Sequence, residues 1–264
     1  MKRGYLVLAQ GGYARMAEKL AESIKRTQSN GLGLSIITDE PVDPTLFDQV
    51  IAIPDQDLAA DQEWKIHNRV FFYDLTPYDE TVILDADMLF LSDVAHWWKL
   101  FESYDLLMTS KVMTYRNTPI KNSPYRKTFR ANQLPDVYSA FTYFKKSAMA
   151  EEFFKLVKSI VTHWDQWTIQ FAPAHRQKFP SIDLAMSIAV KVLDIESVTT
   201  TKLDFPTFTH MKTKCQGWKT VENDWTSSVG VYKHKNGNIE IGSYQQTGIL
   251  HYVNKDFHDS VLQS

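Results

Sequence analysis

Residues 80 to 93 read Glu-Thr-Val-Ile-Leu-Asp-Ala-Asp-Met-Leu-Phe-Leu-Ser-Asp, and this stretch constrains the fold more than any other. Val82, Ile83 and Leu84 form a short apolar run with β-branched members, the pattern of a buried strand. The run delivers Asp85 and Asp87, one residue apart, and a second apolar run from Met88 to Leu91 follows at once. Two carboxylates between buried stretches need a cation, because burying an uncompensated charge is costly. A divalent ion that accepts hard oxygen ligands, Mn²⁺ or Mg²⁺, is the expected partner. The plainer reading, two surface acids at a strand end, fits poorly with apolar residues on both sides.

Upstream of this motif, strands and helices alternate. Tyr5 to Ala9 reads as a strand, Gln10-Gly11-Gly12-Tyr13 as the turn after it, and Met16, Ala17, Leu20, Ala21 and Ile24 as one face of a helix. Leu34 to Thr38 predicts a second strand ending at Asp39, and Gln49 to Ile53 a short third. Residues 63 to 75 read as a helix carrying Lys65, Asn68 and Arg69 among apolar side chains. Such alternation predicts an α/β fold with a mainly parallel sheet, and these sheets bind ligands at the carboxyl ends of their strands. The Gly11-Gly12 turn, Asp39 and Asp85 all fall at such ends. Gly11-Gly12 is too short for a phosphate-loop signal and serves as a permissive turn.

The second half predicts a strand over Asp105 to Thr109, then a loop with at most a short helix over 111 to 135. A strand follows over Tyr138 to Phe144, then a helix from Ala148 to about Trp164. Ser181-Ile182-Asp183 opens a further helix with Ser181 at its N-cap. Val229 to His234 and Asn238 to Ser243 flank Asn236-Gly237, a hairpin signal, and Gly248 to Tyr252 predicts a last strand. No linker divides the 264 residues, so one domain is expected, with a ligand-binding half to about residue 110 and a second half from 111 to 264. Cys215 is the only cysteine, which excludes an internal disulfide and fits a reducing compartment. A net charge of −2 gives no overall attraction to polyanions. With no signal peptide and no span-length apolar run, the expectation is a soluble, cytoplasmic protein.

Trp64-Lys65-Ile66, Phe72 to Leu75, Tyr78-Asp79-Glu80 and Val82 to Asp93 together resemble the retaining glycosyltransferases of family 8, which include glycogenin and lipopolysaccharide galactosyltransferases. The resemblance implies a GT-A fold, a Rossmann-like nucleotide-binding half followed by an acceptor half with a β-hairpin. It also implies a nucleotide-sugar donor, a UDP-sugar, and transfer to a hydroxyl acceptor with retention. By the same resemblance Asp85, Ala86 and Asp87 form the acidic triplet at the donor, and Lys65 contacts donor phosphate or sugar. Ala9, Gln10, Gly12 and Tyr13 line the nucleotide, with Tyr13 against the base. His251 matches the family's late histidine, the third metal ligand beside Asp85 and Asp87. Asn254 stands where the family has glycine, and Lys255 comes early in that motif. Asp183 matches the acid of an Asp-Gln pair that reaches the donor sugar and is the expected catalytic residue, although Leu184 replaces the Gln; pairing with a helix N-terminus is its plainer reading. Asp39 reads either as an acceptor for base or ribose or as a helix cap.

Between residues 111 and 130 there are six basic residues and no acid: Lys111, Arg116, Lys121, Arg126, Lys127 and Arg130, with Tyr115, Tyr125 and Phe129 interleaved. This is either a solvated basic loop or a patch for a phosphate-bearing acceptor, glycan or nucleic acid. A hydroxymethylated base in DNA would suit the patch. The altered C-terminal motif leaves another class open, a catalytically inactive nucleotide-sugar or nucleic-acid binding protein.

Overall fold

The computed structural model describes residues 2–29, 31–55, 57–58, 67–120, 123, 126–211 and 229–252. A six-stranded sheet organises it. Its strands are β1 (Arg3–Ala9), β2 (Gly33–Thr38), β3 (Gln49–Ala52), β4 (Glu80–Asp85), β6 (Leu106–Thr109) and β7 (Tyr138–Lys145), in the order β3-β2-β1-β4-β7-β6. The pairs β3-β2, β2-β1 and β1-β4 are parallel. β7 runs antiparallel to both β4 and β6, so the sheet is mixed at one side. The strand called β5 (Met88–Phe90) leaves the large sheet and joins a smaller one.

Alternation along the central strands explains why both faces are covered. Tyr5, Val7 and Ala9 of β1 and Val82 and Leu84 of β4 point into one apolar cluster, whereas Leu6, Leu8 and Ile83 point into the other. Every residue of β4 is buried, as expected of a parallel strand with helices on both sides. Helix α1 (Ala14–Thr27) packs Met16, Ala17, Leu20, Ala21 and Ile24 against the first face, the stripe read from the sequence. On the other face lie α5 (Ala148–Thr162), which buries Phe153, Phe154, Val157 and Ile160, and α7 (Ile182–Leu193), which buries Leu184, Ala185 and Ile188. Each fully buried Val, Leu, Ile, Phe or Met among them contributes about 1.5–3 kcal/mol.

Several expected elements differ in detail. The helix expected over 63 to 75 is a 3₁₀ turn over His67–Phe71 continued by α2 (Phe72–Leu75), while residues 63 to 66 lie outside the described residues. The helix expected to run from Ala148 to Trp164 breaks at His163, and α6 (Trp164–Phe171) starts there, with Thr168 Oγ1 bonded to the Trp164 carbonyl at 2.8 Å. Ser181 occupies the N-cap of α7 but its side chain caps nothing. Among the described residues there are also three short helices, α3 (Trp97–Phe101), α4 (Lys127–Ala131) in the basic segment and α8 (Glu196–Thr199).

The C-terminal part adds two small sheets. The expected hairpin is β9 (Val231–Lys233) and β10 (Ile239–Ile241), joined by β11 (Tyr244–Gln245). Its turn uses Gly237 at φ 82, where a side chain would be strained. The other sheet holds β5, β12 (Ile249–His251) and β8 (Thr209–His210), with β12 in the middle. Among the described residues no helix is long and apolar enough to cross a membrane.

Candidate active site

Register places the site. Leu8 pairs with Asp85 and Ala9 with Thr38, so the turn after β1, the residues after β2 and the end of β4 share one edge of the sheet. From Asp85 the chain turns through Ala86 and Asp87 directly into β5, which pairs antiparallel with β12 so that Met88 faces His251. The Tyr252 amide donates to the Asp87 carbonyl at 3.1 Å, locking the turn to the end of β12. Asp85, Asp87 and His251 thereby meet, all but buried, although 164 residues separate the last two.

His251 Nε2 lies 3.0 Å from Asp87 Oδ1 and 3.5 Å from Asp85 Oδ2. One ligand atom from each residue falls within 4.8 Å of the others. Adjacent ligands about an ion held at roughly 2.1 Å stand about 3 Å apart, so the spacing suits a small divalent cation. Two carboxylate oxygens and an imidazole nitrogen also suit Mn²⁺ chemically. Arg69 Nη2 approaches Asp85 Oδ1 to 2.8 Å, close but off the hydrogen-bond axis, so that buried oxygen has an ion pair without a directed bond. Such an oxygen has lone-pair capacity left for a metal. At Asp87, burial pushes the carboxyl pKa up, but the His251 charge and hydrogen bond, with Arg69, outweigh it and hold the value below the usual one.

Tyr13 stands beside this cluster. Burial raises its hydroxyl pKa first, the Asp87 and Asp85 charges raise it further, and Arg69 opposes them. The turn before it needs glycine, since Gly11 and Gly12 have φ of 74 and 91. The amides of Gly12 and Tyr13 donate to Glu40 Oε1 at 2.6 and 3.2 Å. α1 has no acid in its own first turn, so Glu40 supplies the negative charge its N-terminus favours. Asp39, the residue singled out by sequence, is exposed; its neighbour makes the contact. Ala9 and Ala86 are buried. Gln10 is buried and tied inward: its amide donates to Asp57 at 3.0 Å and accepts from Asn68 at 2.8 Å.

Asp183 lies in the first turn of α7. Its Oδ1 accepts from the Ser139 amide at 2.8 Å and hydroxyl at 2.6 Å, and its Oδ2 from Arg126 Nη1 at 2.8 Å. Rings link it to the cluster: Arg126 packs on Tyr138, whose ring centre is 5.9 Å from that of His210, itself 4.9 Å from that of His251. Within the basic segment, Arg116, Lys127 and Arg130 are exposed, and Arg116 Nε donates to the Tyr115 hydroxyl at 2.9 Å. Arg126 is not a surface cation; it is 4% exposed. Lys111 is tied to Asp204 and the Lys202 carbonyl. Lys65, Lys121, Asn254 and Lys255 lie outside the described residues.

Arg69, Glu40 and His210 belong to no recognisable motif, yet the fold brings each to the site. The visible sign of Arg69 is a charged residue directly before the apolar run Val70-Phe71-Phe72. Nothing local marks His210, which arrives through the parallel pairing of β8 with β12.

No sequence-family model and no curated relative matches the chain. Solved structures do. Mouse xyloside xylosyltransferase 1 aligns over 95% of this chain and 97% of its own, at 11% identity and a TM-score of 0.57. The bifunctional glycosyltransferase WbbM aligns over 96% of this chain and 46% of its own, at 12% identity and 0.53. Glycosyltransferase GlyE of Streptococcus pneumoniae TIGR4 aligns over 97% and 56%, at 14% and 0.50. The chain thus spans about half the length of WbbM and of GlyE and nearly all of the mouse protein. The fold is that of the GT-A glycosyltransferases.

Proposed function

We propose that the chain is a metal-dependent glycosyltransferase that moves a sugar from a nucleotide-sugar, a UDP-sugar by resemblance to family 8, to a hydroxyl acceptor. The observation that carries this reading is the convergence of Asp85, Asp87 and His251 at the carboxyl edge of a GT-A sheet. These three side chains would hold Mn²⁺ or Mg²⁺, whose chemistry there is to neutralise the donor diphosphate and ease its departure. Arg69 adds a fixed positive charge beside Asp85, which would help offset the charge of that diphosphate. Tyr13 and the strand end Ala9-Gln10 border the nucleoside, with Gly12 giving the turn its close approach. Lys65 contacts the donor, and Asp183 orients its sugar. With no free carboxylate assigned beneath the anomeric carbon, attack by the acceptor on the face that the diphosphate leaves accounts for retention, with the protein supplying position and electrostatics.

Arg116, Lys127 and Arg130 point to an acceptor bearing phosphate, since each is exposed and charged. The test is donor cleavage. Offered a panel of nucleotide-sugars with Mn²⁺, the protein should release free nucleotide from at least one. Chelation should stop the release, and Asp87→Ala should lower it at least about 100-fold, a loss typical of a missing electrostatic group. A chain that binds donors yet cleaves none is an inactive binder, and an Asp87→Ala protein at full rate removes the metal reading.

A further inference from the structure

Among the described residues of the basic segment, Arg126 is the cation that the fold takes inside. Nη1 donates to Asp183, Nε to Asp136 and Nη2 to the Val137 carbonyl. The Phe129 and Tyr138 ring centres both lie 3.9 Å from its Cζ, so the guanidinium is stacked between the rings. Burial disfavours its charge, but Asp183 and Asp136 more than restore it and hold the pKa above the usual arginine value. Three separate stretches of chain meet here: the start of α4, the start of β7 with Asp136 and Val137 before it, and the first turn of α7.

Stability alone gives a poor reason for such a group. Replacing a buried ion cluster with apolar side chains is often neutral or stabilising. What the cluster does supply is geometry. Asp183 is held at Oδ1 by Ser139 and at Oδ2 by a planar donor that has no freedom to turn, because both its faces and its three nitrogens are engaged. The Tyr138 ring on that same guanidinium is also the first of the rings that lead through His210 to His251.

We propose that Arg126 is a positioning residue that fixes the Asp183 carboxylate for the donor sugar, rather than a ligand for the acceptor. This rests on the reading of Asp183 as the donor-sugar group. The two roles separate cleanly in donor hydrolysis, where no acceptor is present. An acceptor ligand could be lost without changing hydrolysis, whereas misplacing a reacting-site group by about 1 Å costs on the order of 100-fold.

Hydrolysis of the best donor with Mn²⁺ is measured for the wild type, Arg126→Met, Arg126→Lys, Asp183→Asn and the double variant Arg126→Met/Asp183→Asn. Arg126→Met should lower kcat about 100-fold, with donor KM and the Mn²⁺ midpoint within about threefold of the wild type, and Arg126→Lys should regain part of the loss. The double variant should be no slower than Asp183→Asn, because Arg126 acts through that side chain. Losses that multiply, or an Arg126→Met protein at full rate, overturn the proposal. Titration of Mn²⁺ sites counts folded protein in each sample, so misfolding is not mistaken for lost positioning; if Arg126→Met does not fold, Arg126→Gln takes its place in the cycle. A wild type inert towards every donor overturns the glycosyltransferase reading and this one with it, an outcome distinct from the others.

Discussion

At Asp87 opposing electrostatic effects meet in one side chain. Its burial would keep it neutral, yet His251 and Arg69 hold it charged, so three groups of mixed sign share a volume that water hardly reaches. The nearby His67 shows the other outcome. It is buried on the 3₁₀ turn that carries Asn68 and Arg69, and burial lowers its pKa below 6.5, partly offset by a hydrogen bond with the Leu58 carbonyl. A base whose folded pKa is depressed stabilises the fold fully above its unfolded pKa and loses that stability as pH falls below it. The melting temperature should therefore decline from pH 7.5 to 5.5, and His67→Gln should flatten that decline. An equal slope in both proteins would remove His67 as its source.

At the scale of elements, β12 decides whether the cluster forms. Its three residues are buried, and its pairing with β5 sets His251 opposite Met88. Leu250→Ala in this strand should cost about 2–5 kcal/mol by cavity formation and should weaken Mn²⁺ binding in calorimetry, while leaving the large sheet intact by circular dichroism. Unchanged Mn²⁺ affinity would show that His251 keeps its place without tight packing behind it. The elements also show what sequence could reveal. β1, β2, β4 and α1 were legible because apolar period matches their burial on both faces. The acidic pair was legible because its flanks are apolar. The antiparallel course of β7 and the break at His163 were not, since strand direction and helix continuity depend on partners remote in sequence. The burial of Arg126 is illegible for the same reason: a run of cations looks like a surface, and the convergence of Asp136 and Asp183 on one of them depends on partners remote in sequence.

For the whole molecule, a ligand that binds only the folded state adds stability in proportion to its excess over Kd. Mn²⁺ at a hundred times its Kd should add about 2.7 kcal/mol, a rise in Tm of roughly 5–10 °C for a chain of this size. Differential scanning fluorimetry with and without chelator reads it directly, and Asp87→Ala should abolish the rise. No rise in the wild type would mean that the three side chains hold no ion.

Such binding would also report on chain order. The acids lie near residue 86, but their partner histidine sits in the last strand among the described residues. During synthesis Asp85 and Asp87 emerge soon after Arg69, the cation that pairs with Asp85, and well before His251. Capture of an ion by all three side chains would thus require synthesis to have passed His251.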